Sequence, residues 1–289
     1  MPALASGART PWLAHLGVSM MLRALIVALA LVVAPLPLTA AEPAADALMR
    51  QAGMDSLFRD FGATLALSPR RHGVGDERFL SAWEKSTTTA FADAALNRRL
   101  ADRLGDALSE SEMSGIGSFL ASPLGLRLAG LERATREIAP ERQIETLAKG
   151  KTLYFVAPEP RRTRFDEVMR LSGAEMSFAM LGESLRGMAL GLRLSARGDI
   201  ALSWAEIDAE ITARLTGLED SLVDATRSTL AFTYADLSDD DLEAYLAFLR
   251  APATRKFYAT LTLATGEIIE QTMFGIGKEV AARLGAVAI

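Results

Sequence analysis

Two stretches 129 residues apart constrain this chain more than anything else in it. Leu108-Ser109-Glu110-Ser111-Glu112-Met113 leads through Phe119-Leu120-Ala121-Ser122-Pro123-Leu124-Gly125, and Leu237-Ser238-Asp239-Asp240-Asp241-Leu242 leads through Phe248-Leu249-Arg250-Ala251-Pro252 in the same register. Ser109 with Glu112 three residues on is a capping box, in which each side chain satisfies an orphan amide at a helix start, and Ser238 with Asp241 repeats it. Met113, Ile116, Phe119 and Leu120 fall on one helical face. Proline disfavours helical geometry in the residue before it, yet suits the first position of a new helix, with Ser122 as its cap. The pattern predicts helix, sharp corner, helix, the second helix running from Leu124 to about Lys149. Ala251 stands where the first stretch has Ser122, so the second corner lacks a side-chain cap, a change that costs about 1 kcal/mol.

The chain upstream falls into the same register. Met169-Arg170-Leu171-Ser172-Gly173 answers Met49-Arg50-Gln51-Ala52-Gly53, then Phe178, Leu181-Gly182 and Leu185 answer Phe58, Phe61-Gly62 and Leu65, and Trp204 answers Trp83. Between the tryptophan and the corner motif the second copy is eight residues longer, about two helical turns, which keeps the same face buried. The fold class expected is all-α, as two related helical units of about four to five helices, residues 42–150 and 165–289, joined by a linker at 151–164. Within the first unit the spacing predicts a helix over 43–66 ended by Ser68-Pro69, and a helical region over 77–107 broken near Asp93. Leu153-Tyr154-Phe155-Val156, followed by Pro158 and Pro160, shows no helical period and reads as linker docked on the core. The last helix, from Pro252 to about Leu284, is expected to break near Gly275 or Gly277.

Residues 24–34 are an uninterrupted apolar run of 11 after Arg23, reaching small residues at Thr39-Ala40-Ala41. This is a signal-peptide pattern, too short for a bilayer span of about 20 residues. Residues 1–41 are therefore read as a cleaved leader and the mature chain as periplasmic; the alternative is an inner-membrane anchor left uncleaved. Met20 and Met21 would each start a leader of ordinary length. Absence of cysteine excludes disulfides, thiolate nucleophiles and Cys-type zinc sites. The two histidines, His15 and His72, lie on either side of the cleavage point, so the mature chain has no histidine pair. Removing residues 1–41 takes away Arg9 and Arg23 and leaves 29 basic against 36 acidic residues, a net charge of −7. That balance argues against nucleic acid as a partner.

Ser109 to Glu112 with Phe119 to Gly125, and Ser238 to Asp241 with Phe248 to Lys256, resemble the exported bacterial proteins grouped as domain-of-unknown-function family 2059 (DUF2059). Members carry an acidic helix start and an aromatic-rich helix ending in Ser-Pro-x-Gly. Met169 to Gly173 is similar to the family's opening helix. Leu120 and Leu249 stand where the family usually has Tyr, and the second copy lacks the Ser and Gly around its proline. The resemblance implies an all-helical exported protein and brings no activity and no catalytic residues.

Candidate chemistry is sparse. Asp239-Asp240-Asp241 sits at a helix start, where the dipole favours acids, rather than in a glycine-containing calcium loop. Gly275-Ile276-Gly277-Lys278 has no preceding strand and no GK-[ST] pattern, so it is read as helix irregularity. His72 lies in a glycine-rich loop beside Arg71 and has no partner set for a triad. Trp83, Trp204, Phe119, Phe248, Met176 and Met180 are read as core. No catalytic, cofactor or metal residues are assigned. The residues singled out, Ser109, Glu112, Phe119, Ser122, Pro123, Gly125, Ser238, Asp241, Phe248 and Pro252, form a structural motif. The function expected is non-enzymatic binding or assembly with an envelope or protein partner, or with the protein's own kind. The alternative is a carrier of a hydrophobic small molecule between helices, and an enzyme working through carboxylates is the third reading.

Overall fold

A computed structural model describes residues 44–71, 73, 76–172, 182, 184–189 and 203–285. The expected leader, His72, Met176, Met180, and the correspondences at Phe178 and Leu181 lie outside the described residues. The fold is all α-helical, and no strand occurs among the described residues. The helices are α1 (Ala44–Gln51), α2 (Leu57–Arg71), α3 (Glu77–Phe91), α4 (Ala94–Ala107), α5 (Glu110–Leu120), α6 (Pro123–Arg136), α7 (Gln143–Val156), α8 (Glu159–Leu171), α9 (Trp204–Thr233), α10 (Asp239–Arg250) and α11 (Pro252–Arg283). Residues 184–189 are a further helical segment.

Several boundaries differ from those expected, each for a local reason. The helix expected over 43–66 is interrupted by a turn at 52–56 and then runs through Pro69 to Arg71. Proline has no N–H to give to the carbonyl four residues earlier, which is that of Leu65. The indole Nε1 of buried Trp83 donates to that carbonyl at 3.0 Å, so the missing bond is replaced. The helix expected over 124–149 breaks at Pro140, giving α6, a 3-10 turn at Pro140–Arg142, and α7. The corresponding part of α11 has no proline, and α11 continues through Gly275 and Gly277 for 32 residues, so the break expected there is absent. Near Asp93 the expected break is present, with the Asp93 carboxylate accepting from Ala95 N as the cap of α4.

The linker expected at 151–164 is also absent. That stretch is the end of α7 and the first half of α8, with only Ala157 and Pro158 between them. Its apolar residues escaped a helical reading because α7 has almost no sided pattern: one face lies on α9 while Ile144, Phe155 and Val156 stay exposed. Gly150 makes the α7–α9 contact close, since a Cβ there would collide with the Ser228 carbonyl.

Two apolar cores result, and neither follows the expected unit boundary. The first gathers α1 to α5, part of α9 through Ile211 and Leu222, and α11 from Phe257 to Val280. The second gathers Leu128 of α6, Phe165 and Val168 of α8, Leu230 to Leu237 at the end of α9, and Leu242 to Leu249 of α10. At Pro123 the chain leaves the first core and α6–α7 run to the second; at Pro252 it leaves the second and α11 returns to pack on α3 and α4 of the first.

Candidate functional site

The ten singled-out residues meet at these two crossings. Ser109 Oγ accepts from Glu112 N at 3.2 Å while Glu112 Oε2 accepts from Ser109 N at 2.8 Å. Ser238 and Asp241 do the same at 3.0 and 3.3 Å. Ser122 Oγ accepts from Gly125 N at 3.1 Å and Pro123 opens α6. Gly125 is there for space: a Cβ would collide with the Phe119 and Leu120 carbonyls. Pro252 opens α11 after Ala251, which supplies no side-chain bond.

The crossings also touch each other. Phe119 and Phe248 stack with ring centroids 3.8 Å apart and planes 6° from parallel. Arg127 Nη1 donates to Asp241 Oδ2 at 2.8 Å, and Lys256 Nζ donates to Glu112 Oε2 at 3.1 Å. Arg127 corresponds to Lys256, and Glu112 to Asp241, at the 129-residue offset, so the two ion pairs are reciprocal. Backbone bonds from Ser109 and the Lys256 ammonium hold the Glu112 carboxyl below its ordinary value. Bonds from Ser238 and the Arg127 guanidinium do likewise for Asp241. Asp239 pairs with Arg161 at 2.6 Å and Arg164 at 3.3 Å. Among the described residues no group of three or more acids or histidines is placed to hold a metal.

Beside the Phe119–Phe248 stack lies a polar cluster that the sequence reading missed. Glu132 of α6 is 2% exposed, and its Oε1 accepts from the Tyr234 hydroxyl at 2.6 Å. Among the described residues its Oε2 has no hydrogen-bond partner. Tyr234 meets Tyr245 edge to face, and Tyr245 stacks toward both phenylalanines. Burial pushes the Glu132 carboxyl up to about 8, against the lowering effect of Tyr234 and of Arg136 one turn away. Burial likewise raises the hydroxyls of Tyr234, Tyr245 and Tyr258. A usable signal was present: Glu132 follows Leu128 by four residues on the inward face, and its 129-residue counterpart is Leu261.

The third feature is α7. Ile144, Phe155 and Val156 are 82%, 64% and 72% exposed, against a chain whose other large apolar side chains are mostly inside. On the flank of the same helix an open cleft of about 370 Å³ is bounded by Glu137, Arg142, Glu145, Lys149 and Phe232, with the Lys149 ammonium 5.5 Å from the Phe232 ring centre. Comparison with protein-family models, with curated proteins and with solved structures finds no match to this chain.

Proposed function

We propose that this is an exported, non-enzymatic helical protein of the bacterial periplasm that works by binding a protein partner in the envelope, and that α7 carries the contact. The observation behind this reading is the exposed apolar row on α7: water-facing side chains of that size on a helix whose other face is firmly packed are what an interface leaves when its partner is absent. The cleft beside α7 has a charged rim and is open, which fits a polar interface edge better than a pocket for an apolar molecule. Among the described residues no helix is long and apolar enough to cross a membrane.

In this reading residues 1–41 are a cleaved leader, the chain belongs with DUF2059, and residues 42–150 and 165–289 are two copies of one unit. Reciprocal ion pairs, paired capping boxes and a ring stack, all at one 129-residue offset, support the duplication. Purification of the native protein from the envelope, followed by native mass spectrometry, tests the whole proposal. The expected result is a mature mass beginning near Glu42 and a retained protein that is lost from an Ile144→Glu/Phe155→Glu variant. Equal retention by the variant would remove α7 from the proposal.

A further inference from the structure

Resting on the reading of α7 as an interface, we infer that the partner seated on it is a second copy of this chain, paired helix against helix in antiparallel fashion about a twofold axis at Ala148. Ile144, Ala148, Lys151 and Phe155 are all exposed and recur at intervals of four, three and four residues, which sets them in one row along the helix, apolar except for Lys151. The row is widest at its ends and narrowest at Ala148, so two such helices can cross closely at the middle with Ile144 of each lying toward the C-terminal apolar end of the other. Gly150, which faces α9, holds the helix from behind.

Charge selects both the partner and the direction. Of the exposed charges, Glu141, Arg142 and Glu145 lie at or before the first turns of α7, where the acids outnumber the base, and the bases Lys149 and Lys151 lie in its second half. Antiparallel self-pairing sets the acidic half of each copy against the basic half of the other, whereas parallel pairing would set like against like. A twofold contact of this kind is self-complementary and closed, so it makes a dimer and not a filament. Among the described residues Glu145 is bound only by Arg142, at 3.8 Å with both side chains well exposed, and it can turn outward. One 14-residue helix per copy makes a small interface, below roughly 1,200 Å² in total, so the dimer forms and dissociates over the micromolar range.

Because the chain contains no cysteine, one introduced thiol reports the contact. In the chain from Glu42 onward, Ala148→Cys is expected to cross-link under mild oxidation into a species of twice the mass, while Leu263→Cys, exposed on α11, stays monomeric. In sedimentation equilibrium, Ile144→Glu/Phe155→Glu is expected to abolish the dimer with an unchanged helical spectrum. Glu145→Lys and Lys149→Glu should each weaken it about three- to tenfold, and the double reversal should restore it, a rescue open only to a self-complementary partner. A wild-type chain that stays monomeric to high micromolar concentration, or a double reversal weaker than either single one, overturns the inference. If the chain is monomeric alone yet Ala148→Cys captures a protein of different mass from envelope extract, self-pairing is wrong and α7 as a partner site still stands. If neither occurs, both fall.

Discussion

Glu132 is a buried carboxylate held at an electrostatic cost. Its carboxyl sits at about 8 in the folded chain against an ordinary 4.5, because burial penalises the ion more than Tyr234 and Arg136 relieve it. Between these two values the folded chain holds a proton that the unfolded chain has released, so stability falls as pH rises through that window. The loss accumulates at about 1.4 kcal/mol per pH unit, several kcal/mol in all. Glu132→Gln keeps the acceptor for the Tyr234 hydroxyl and removes the charge. Denaturant midpoints are expected to match wild type near pH 5 and to exceed it near pH 8.5; parallel pH slopes in the two proteins would show that Glu132 is not the cause. A second single-residue case is Trp83, whose indole replaces the bond that Pro69 cannot make to Leu65. Trp83→Phe leaves that buried carbonyl unpaired and should cost about 1–3 kcal/mol in urea unfolding beyond any loss of volume. Neither case was drawn from the sequence pattern. Pro69 read as a helix end because its rescue comes from a side chain 14 residues away, and Glu132 was not singled out although it lies on an apolar face.

At the scale of elements, the sequence was most informative where local chemistry decides. The starts of α5, α6 and α10 follow from Ser-x-x-acid or Ser-Pro signals that act within four residues. The start of α11 follows from Pro252 alone. That asymmetry gives a paired prediction. Ser122→Ala removes the bond to Gly125 N and should destabilise by about 1 kcal/mol, whereas Ala251→Ser offers a cap to Thr254 N from backbone already at φ −60 and ψ 137 and should stabilise by about 0.5–1 kcal/mol. Thermal unfolding of the two single variants checks both signs, and a destabilising Ala251→Ser would mean that the second corner cannot turn a hydroxyl toward its helix. The extents of α7 and α8 were not legible. Period-based reading finds a helix through its buried stripe, and α7 hides its stripe because apolar residues occupy both its inner and outer faces.

For the whole molecule, the matching register of the two stretches suggested two units, but not which core the helices after each corner enter. Nothing local in Ser122-Pro123 or Ala251-Pro252 tells a helix which core to enter; that is settled by long-range fit, with Leu128 filling the second core and Phe257 the first. The crossings have a thermodynamic consequence. Pulling α11 out of the first core also strains the corner that anchors α10 in the second, and α6 links them in the opposite sense. The aromatic residues divide so that this is measurable without labels: after residues 1–41, the tryptophans Trp83 and Trp204 belong to or pack against the first core, while Tyr154, Tyr234 and Tyr245 belong to or pack against the second, and Tyr258 touches both. Urea unfolding of the chain from Glu42 onward, followed in parallel by tryptophan fluorescence and by tyrosine absorbance, should give coincident transitions with one midpoint. Phe119→Ala, which removes one ring of the stack between the crossings, should lower both midpoints together, by the 3–5 kcal/mol typical of a deleted core phenylalanine or somewhat less because this ring is only partly buried. Two separated transitions, or a Phe119→Ala effect confined to the tryptophan signal, would mean that the cores fold as independent units and that the exchange of helices between them contributes no cooperativity.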